Sequence, residues 1–239
     1  MRPLFPFYGS KWRDAKRYLG PYNGTVIEPF AGSAGYATYW EPRRVILYDR
    51  DPIIVGVWDY LIRVMASEVR ALPDLEVGQS VDDLPNLPQE ARWLIGFWLN
   101  RGSATPKKTK TAFSARVERQ QLVWSERARV RIASEIEKVR HWEVFYGSYE
   151  SCPRLDATWF VDPPYVDKGR YYRIRSVDYD RLGAWCRHLP GQAIVCEQAG
   201  AMWLPFRPLA TIKSTRGTSA EVVWTAGCSS LLEIEGQTA

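Results

Sequence analysis

Histidine occurs only at positions 141 and 188, and the four cysteines, at 152, 186, 196 and 228, form no C-x-x-C pair. This scarcity argues against a zinc site or any required metal and against a disulfide framework, while scattered thiols fit a reducing compartment. Apolar runs are short and broken by charge, so neither a membrane span nor a signal peptide is expected, and the protein is expected to be cytoplasmic. The chain also lacks G-x-G-x-x-G and a P-loop lysine, which argues against a pyrophosphate ligand. Repeats and low-complexity tracts are missing too, and 239 residues suffice for one α/β domain carrying an insertion.

What the chain does have is positive charge in one place. The net charge is +5, yet residues 101–140 hold eleven Lys or Arg against four Glu, a net of +7 that leaves −2 for everything else. A local cationic block inside a slightly acidic domain suits a phosphate backbone, although a solvated helical face has the same composition. Eleven Trp and thirteen Tyr exceed ordinary usage; most must fill the core, and some beside cations suit nucleic acid.

In chain order, an aromatic opening leads to a turn at Gly9 and a helix expected from an N-cap at Ser10 toward Leu19. Lys11 would sit against the helix dipole, so it is a candidate for meeting a carboxylate or another anion. Residues 25–36 read as a strand, a loop of small residues and a helix, with Glu28 at the strand's end. Gly32 and Gly35 allow close backbone approach there. A second strand, 45–49, ends in Asp49, which follows Glu28 by 21 positions. An acid about that far along is the ribose-binding arrangement of nucleoside cofactors. Asp51 is the expected cap of a helix over 52–70 opened by Pro52.

From 71 to 142 the pattern changes to an insertion. It comprises a Pro-broken linker, a helix over 89–100, a Gly/Pro/Lys-rich loop over 101–119 and an Arg-rich helix over 125–139. Strands follow at 143–146 and 158–161. A basic-aromatic loop spans 168–175, a helix 178–188, and three more strands 193–197, 209–213 and 222–225. The βαβα order with a terminal strand pair indicates an open α/β sheet.

The most informative stretch is Trp159-Phe160-Val161-Asp162-Pro163-Pro164-Tyr165. An apolar strand runs into two prolines that forbid its continuation, so the chain turns at the strand's carboxyl end, where α/β sheets bind ligands. The turn offers one carboxylate, two consecutive proline residues and a ring. An aromatic exocyclic amine is a poor nucleophile because its lone pair is shared with the ring, and acceptors that draw it toward a tetrahedral state promote attack. Asp162 and the Pro163 carbonyl are candidates for its two hydrogens, and Tyr165 for stacking on the base. Read alone, D-P-P-Y is equally a strand-ending turn.

With D-P-P-Y, E-P-F-A-G-S-A-G and F-Y-G-S-K-W in one chain, together with L-N-R at 99–101, Y-D-R-D at 48–51 and Gly147-Ser148-Tyr149, the sequence resembles the Dam-like DNA adenine methyltransferases. The resemblance implies an open, doubly wound, mostly parallel seven-stranded methyltransferase sheet, Rossmann-like, formed by 1–70 and 143–239. It also implies a small, mainly helical recognition insertion at 71–142, S-adenosylmethionine as methyl donor, DNA as partner, and a monomer or dimer. By that resemblance Tyr8, Lys11, Glu28, Pro29, Phe30, Ala31, Gly32, Ser33, Asp49, Arg50, Ser148, Tyr149 and Asp162 line the cofactor pocket. Asp162, Pro163, Pro164 and Tyr165 handle a flipped adenine. Asn100, Arg101, Lys107, Lys108, Lys110, Arg116, Lys168, Arg170, Tyr171, Tyr172 and Arg173 face nucleic acid.

Two departures from the family stand out. Its recognition hairpin is reduced to Lys107-Lys108-Thr109-Lys110 and neighbours, so a short or relaxed target is expected, and Ala34 stands where many relatives have glycine. Methylation of cytosine or RNA amines, and a catalytically inactive DNA-binding relative, are the alternatives.

Overall fold

The computed structural model describes residues 1–99, 102–117, 123–166, 172–174, 176–214 and 217–227. Its strands are β1 (Thr25–Glu28), β2 (Arg44–Asp49), β3 (Glu143–Tyr146), β4 (Ala157–Val161), β5 (Gly191–Gln198), β6 (Arg207–Ser214) and β7 (Gly217–Ala226). They form one seven-stranded sheet in the order β3-β2-β1-β4-β5-β7-β6. The first five positions are parallel, and β7 runs antiparallel to both of its neighbours. The helices are α1 (Gly35–Trp40), α2 (Pro52–Arg63), α3 (Ala66–Ala71), α4 (Gln89–Leu99), α5 (Ala112–Val117), α6 (Glu126–Glu135) and α7 (Tyr179–Arg187).

Apolar character on both sides of a strand needs cover on both faces of a sheet. Every residue of β4 is buried. On one face Val26, Val45, Leu47, Phe160, Ile194 and Cys196 pack with Ile54, Val57, Trp58 and Leu61 of α2. On the other, Ile27, Ile46, Trp159, Val161 and Val195 pack with Leu182 and Cys186 of α7. The strand order therefore reverses between β1 and β4: β1 leads outward to β2, while β4 leads the other way to β5. Ligands of open α/β sheets collect at the carboxyl ends of strands beside such a reversal.

The segment 71–142 is not held apart from this core. Leu94, Phe97 and Trp98 of α4 and Ile132 of α6 belong to the same cluster as the α2 face of the sheet. Indole N–H groups lock the packing, Trp98 donating to the Leu4 carbonyl at 3.1 Å and Trp124 to that of Pro73 at 2.8 Å.

Several expected boundaries change for local reasons. The helix expected to run from Ser10 to Leu19 is instead two short 3-10 turns, Lys11–Arg13 and Ala15–Arg17, and Ser10 makes no side-chain cap. Its hydroxyl accepts from the Ser33 hydroxyl at 2.9 Å, a tertiary bond in place of a helical one. The helix expected over 52–70 breaks at Val64, which is extended. The Arg140 guanidinium donates to the carbonyls of Ile62 and Val64 and so satisfies the end of α2. The helix expected over 125–139 continues beyond α6 only as a 3-10 turn, Ile136–Val139.

Residues 101–119, expected as a loop, contain α5. Thr111 and Ser114 make reciprocal side-chain bonds at its start, the Ser114 N–H to Thr111 Oγ1 at 3.2 Å and the Thr111 N–H to Ser114 Oγ at 3.0 Å. A capping pair can start a helix too short for apolar periodicity to reveal.

Candidate active site

The carboxyl ends of β1, β2 and β4 border a cavity of about 400 Å³, the size of an ordinary small-molecule pocket. Glu28 ends β1 and Asp49 ends β2, and Asp162 follows the last residue of β4; all three reach the cavity wall. Of the residues expected there, Tyr8, Lys11, Phe30, Ala31, Gly32, Ser33, Arg50, Ser148 and Tyr149 also line it.

The loop after β1 is shaped by Asp49. Asp49 Oδ2 accepts from the Gly32 N–H at 3.0 Å and Oδ1 from the Asp51 N–H at 2.8 Å, leaving lone pairs on both oxygens for a ligand. Burial pushes its carboxyl up to about 6 despite those N–H donors. Asp51 in turn caps α2 by accepting from the Ile53 N–H at 3.0 Å, as the sequence predicts. Glu28 is buried and its Oε1 accepts from the Ala37 N–H at 2.7 Å; burial pushes this carboxyl up to about 8.

Two small residues of the loop play specific parts. Ala34 is in the left-handed region, φ 47, where glycine is free of strain and alanine is not. A Cβ on Gly35 would lie 2.8 Å from the Lys11 backbone nitrogen and 2.7 Å from that of Trp12. Gly35 thus admits the opening segment of the chain rather than only a ligand, and this contact seats Lys11.

Lys11 is buried and its ammonium lies 3.2 Å from Asp162 Oδ1 and 3.7 Å from Glu221 Oε2. Burial alone would lower it; the two carboxylates outweigh burial and hold it above the ordinary lysine range. Burial pushes Asp162 up to about 6, with Lys11 opposing and Glu221 adding to the rise.

Of the D-P-P-Y turn, Asp162 and Pro164 form cavity wall, while Pro163 and Tyr165 are buried. Tyr165 is turned away from the role expected of it. Its hydroxyl donates to Glu221 Oε2 at 2.6 Å, and its ring faces the Lys11 ammonium at 4.5 Å from the centroid. A ring that does line the cavity is Tyr172, 6.0 Å from Phe7 and 5.7 Å from Tyr8 between centroids. Burial raises its hydroxyl above the usual tyrosine range. Arg173, expected to face nucleic acid, instead pairs with Asp51 at 3.2 Å and lies on the wall beside Ile174.

Glu221 is a site residue that the sequence does not announce. Its one signal is a glutamate inside the apolar run Ala220-Glu221-Val222-Val223-Trp224 of β7.

The wall carries six carboxylates, Glu28, Asp49, Asp51, Glu150, Asp162 and Asp178, against four cations, Lys11, Arg50, Arg173 and Arg181. Three of the cations are paired with wall carboxylates, Arg181 with Glu150 at 2.6 Å being the third. Burial keeps Glu28 protonated at neutral pH, so the five other acids exceed the four cations by one, which favours a ligand that brings positive charge.

The cationic block divides. Arg129 pairs with Asp74, Arg131 donates to the Pro3 carbonyl at 2.8 Å and Arg140 caps α2, so these arginines join parts of the fold. Lys107, Lys108 and Arg116 are exposed. The lysine stretch, expected as a flexible loop, is held by backbone bonds: Lys107 N–H to Gly96 at 3.0 Å, Lys110 N–H to Gln79 at 3.1 Å, and Val81 N–H to Lys108 at 2.8 Å. Lys108 also pairs with Asp82 at 2.6 Å. Asn100, Arg101, Lys168, Arg170 and Tyr171 lie outside the described residues.

Among the described residues there is no group of three or more side chains able to hold a metal, and no helix long and apolar enough to cross a membrane. No protein-family model matches this chain, and no curated protein matches it. The class defined by fold and site is an α/β protein with an acid-rich ligand cavity at the strand-order reversal of a seven-stranded sheet.

Proposed function

We propose that this chain is an S-adenosylmethionine-dependent methyltransferase acting on the exocyclic amino group of adenine in DNA, with the base flipped out of the duplex. The observation that carries the reading is Asp162 at the end of β4, sharing one cavity with Asp49 and the Gly32 loop. An acceptor for an amine and an acceptor for sugar hydroxyls are thereby held within a single ligand-sized space. The acid-rich wall suits a donor carrying a sulfonium and an ammonium group.

S-adenosylmethionine, when bound, supplies an electrophilic methyl group. Asp49 accepts from ribose hydroxyls, and Glu28, Phe30 and the Gly32 loop hold the remainder of the donor. Asp162 accepts one hydrogen of the amine and the Pro163 carbonyl the other, concentrating electron density on the nitrogen. Tyr172 and Tyr8, which line the cavity, supply ring surface for the base in place of the buried Tyr165. Lys107, Arg116 and Lys110 give phosphate contacts outside the cavity. Those contacts position a duplex without reading it, which fits a short or relaxed target.

The deciding experiment is transfer of a labelled methyl group to duplex DNA, to RNA and to DNA lacking adenine. Label in the first substrate alone, recovered as N6-methyladenine, is the expected result. Label in RNA or in adenine-free DNA would redirect the reading to another amine, and none in any substrate would refute it.

A further inference from the structure

Beneath Asp162 lies a second carboxylate that the chemistry above does not use. Glu221 is 7 % exposed, beside the buried strand β5, and burying an ionised carboxylate is costly unless it is paired and hydrogen-bonded. It reaches this position because β7 lies beside β5, with Glu221 opposite Gln198 in the antiparallel register. There it takes a 2.6 Å hydrogen bond from Tyr165 and stands 3.7 Å from the ammonium that Asp162 approaches at 3.2 Å. Tyr165, in the same motif as Asp162, is thereby tied to β7, two strands along the sheet from β4.

We propose that Glu221 is a positioning residue for the transfer: it shares the Lys11 ammonium with Asp162 and, with Tyr165, fixes that ammonium, so that Asp162 faces the amine without being neutralised by a dedicated counter-ion. This rests on the methyltransferase reading. In the step served, the amine nitrogen forms a bond to the methyl carbon as the carbon–sulfur bond breaks. The sulfonium becomes a neutral thioether, and the nitrogen, now positively charged, gives one proton to the Asp162 carboxylate. A carboxylate held wholly by one ammonium in a direct pair would be a poorer acceptor for that proton.

Other groups act on the same carboxylate. The single Tyr165 O–H is committed to Glu221, burial raises the Glu197 and Glu28 carboxyls on β5 and β1 to about 7 and about 8, and Tyr18, Tyr172 and Cys196 lie around Asp162 as buried neutral groups. Among the carboxylates of the described residues, Glu221 is the one that contacts the Lys11 ammonium together with Asp162.

The test is a carbon-13 titration of the labelled Asp162 carboxyl in the wild-type protein and in Glu221→Gln, with the signal assigned through Asp162→Asn. Glutamine keeps an oxygen for Tyr165 while removing the charge. The expected result is a midpoint displaced to lower pH by roughly one unit in Glu221→Gln, with the acid limb of single-turnover methyl transfer displaced alike. In the wild-type protein the labelled Lys11 ammonium signal should stay ordered after Asp162 is protonated, because Glu221 still holds it at 3.7 Å, a reading that does not depend on the variant folding. An unchanged midpoint in a folded variant, or a Lys11 ammonium that loses its order once Asp162 is protonated, would overturn the proposal. The titration needs no turnover, so absence of methyl transfer would refute the function without deciding the role of Glu221.

Discussion

The Lys11 ammonium lies 3.2 Å from Asp162 Oδ1, joining the opening segment of the chain to the turn after β4. The pair closes only because Gly35 lets the Lys11 backbone rest on the loop after β1. Donor loop, amine-facing carboxylate and cation are therefore one packed unit, and substitutions within it separate their tasks.

Asp162→Ala should abolish methyl transfer while leaving affinity for S-adenosylmethionine near the wild-type value. Lys11 would keep Glu221 as a partner, 3.7 Å away, so the ammonium would not be stranded. Calorimetry is the check; loss of donor binding would place Asp162 in the cofactor's site instead of the amine's.

Asp49→Ala should do the reverse. Ribose hydroxyls left without an acceptor cost about 1–3 kcal/mol of donor affinity. The Gly32 and Asp51 N–H groups lose their acceptors in the same variant, so Asp49→Asn, which retains one amide oxygen, should lie between. Equal affinity in all three proteins would remove Asp49 from the pocket.

For Tyr165 the sequence assigns a task to the ring, and the structure gives one to the hydroxyl. Tyr165→Phe withdraws the 2.6 Å donor from buried Glu221, and an under-satisfied buried carboxylate costs about 1–3 kcal/mol. Tyr165→Ala adds a cavity, for a total of about 3–5 kcal/mol. Denaturant unfolding measures both, and a phenylalanine variant as stable as the wild type would show that the hydroxyl bond is immaterial.

Glu28 makes stability depend on pH. Its folded-state carboxyl is raised, so its favourable contribution is full below the ordinary value of 4.5 and is lost as pH rises through about 8. Glu28→Gln removes that dependence while keeping an oxygen for the Ala37 N–H. The variant should therefore gain stability relative to wild type from pH 5 to pH 8. Glu197, raised to about 7, and Asp49, raised to about 6, titrate in both proteins, so their effects largely cancel in the difference. A difference independent of pH would mean that Glu28 is ionised in the fold.

Replacing Lys107, Lys108 and Lys110 together should weaken binding to all DNA sequences alike. The log–log salt slope should fall by about 2–3 units, near 0.9 for each phosphate that is no longer neutralised. Sequencing of methylated sites in a random DNA library tests the accompanying expectation of a target of one or two bases around the adenine. A strict site of four or more bases would assign recognition to other side chains.

The sequence alone determined those features whose causes are local. Runs at 25–28, 45–49 and 158–161 read as strands, the last of them covered on both faces and ended by two prolines, and Asp51-Pro52 opens a helix. Lys11 declared a need for an anion, but not which one. Tertiary structure decided the partners. Glu221 meets Lys11 and Tyr165 because β7 inserts between β5 and β6, an order that no periodicity encodes. The same holds for Arg129, Arg131 and Arg140, which sequence composition groups with the phosphate-facing cations and which packing turns onto Asp74 and onto backbone carbonyls. A charged side chain takes its role from the nearest opposite charge or open hydrogen-bonding group, and that neighbour is set by chain segments far away in sequence.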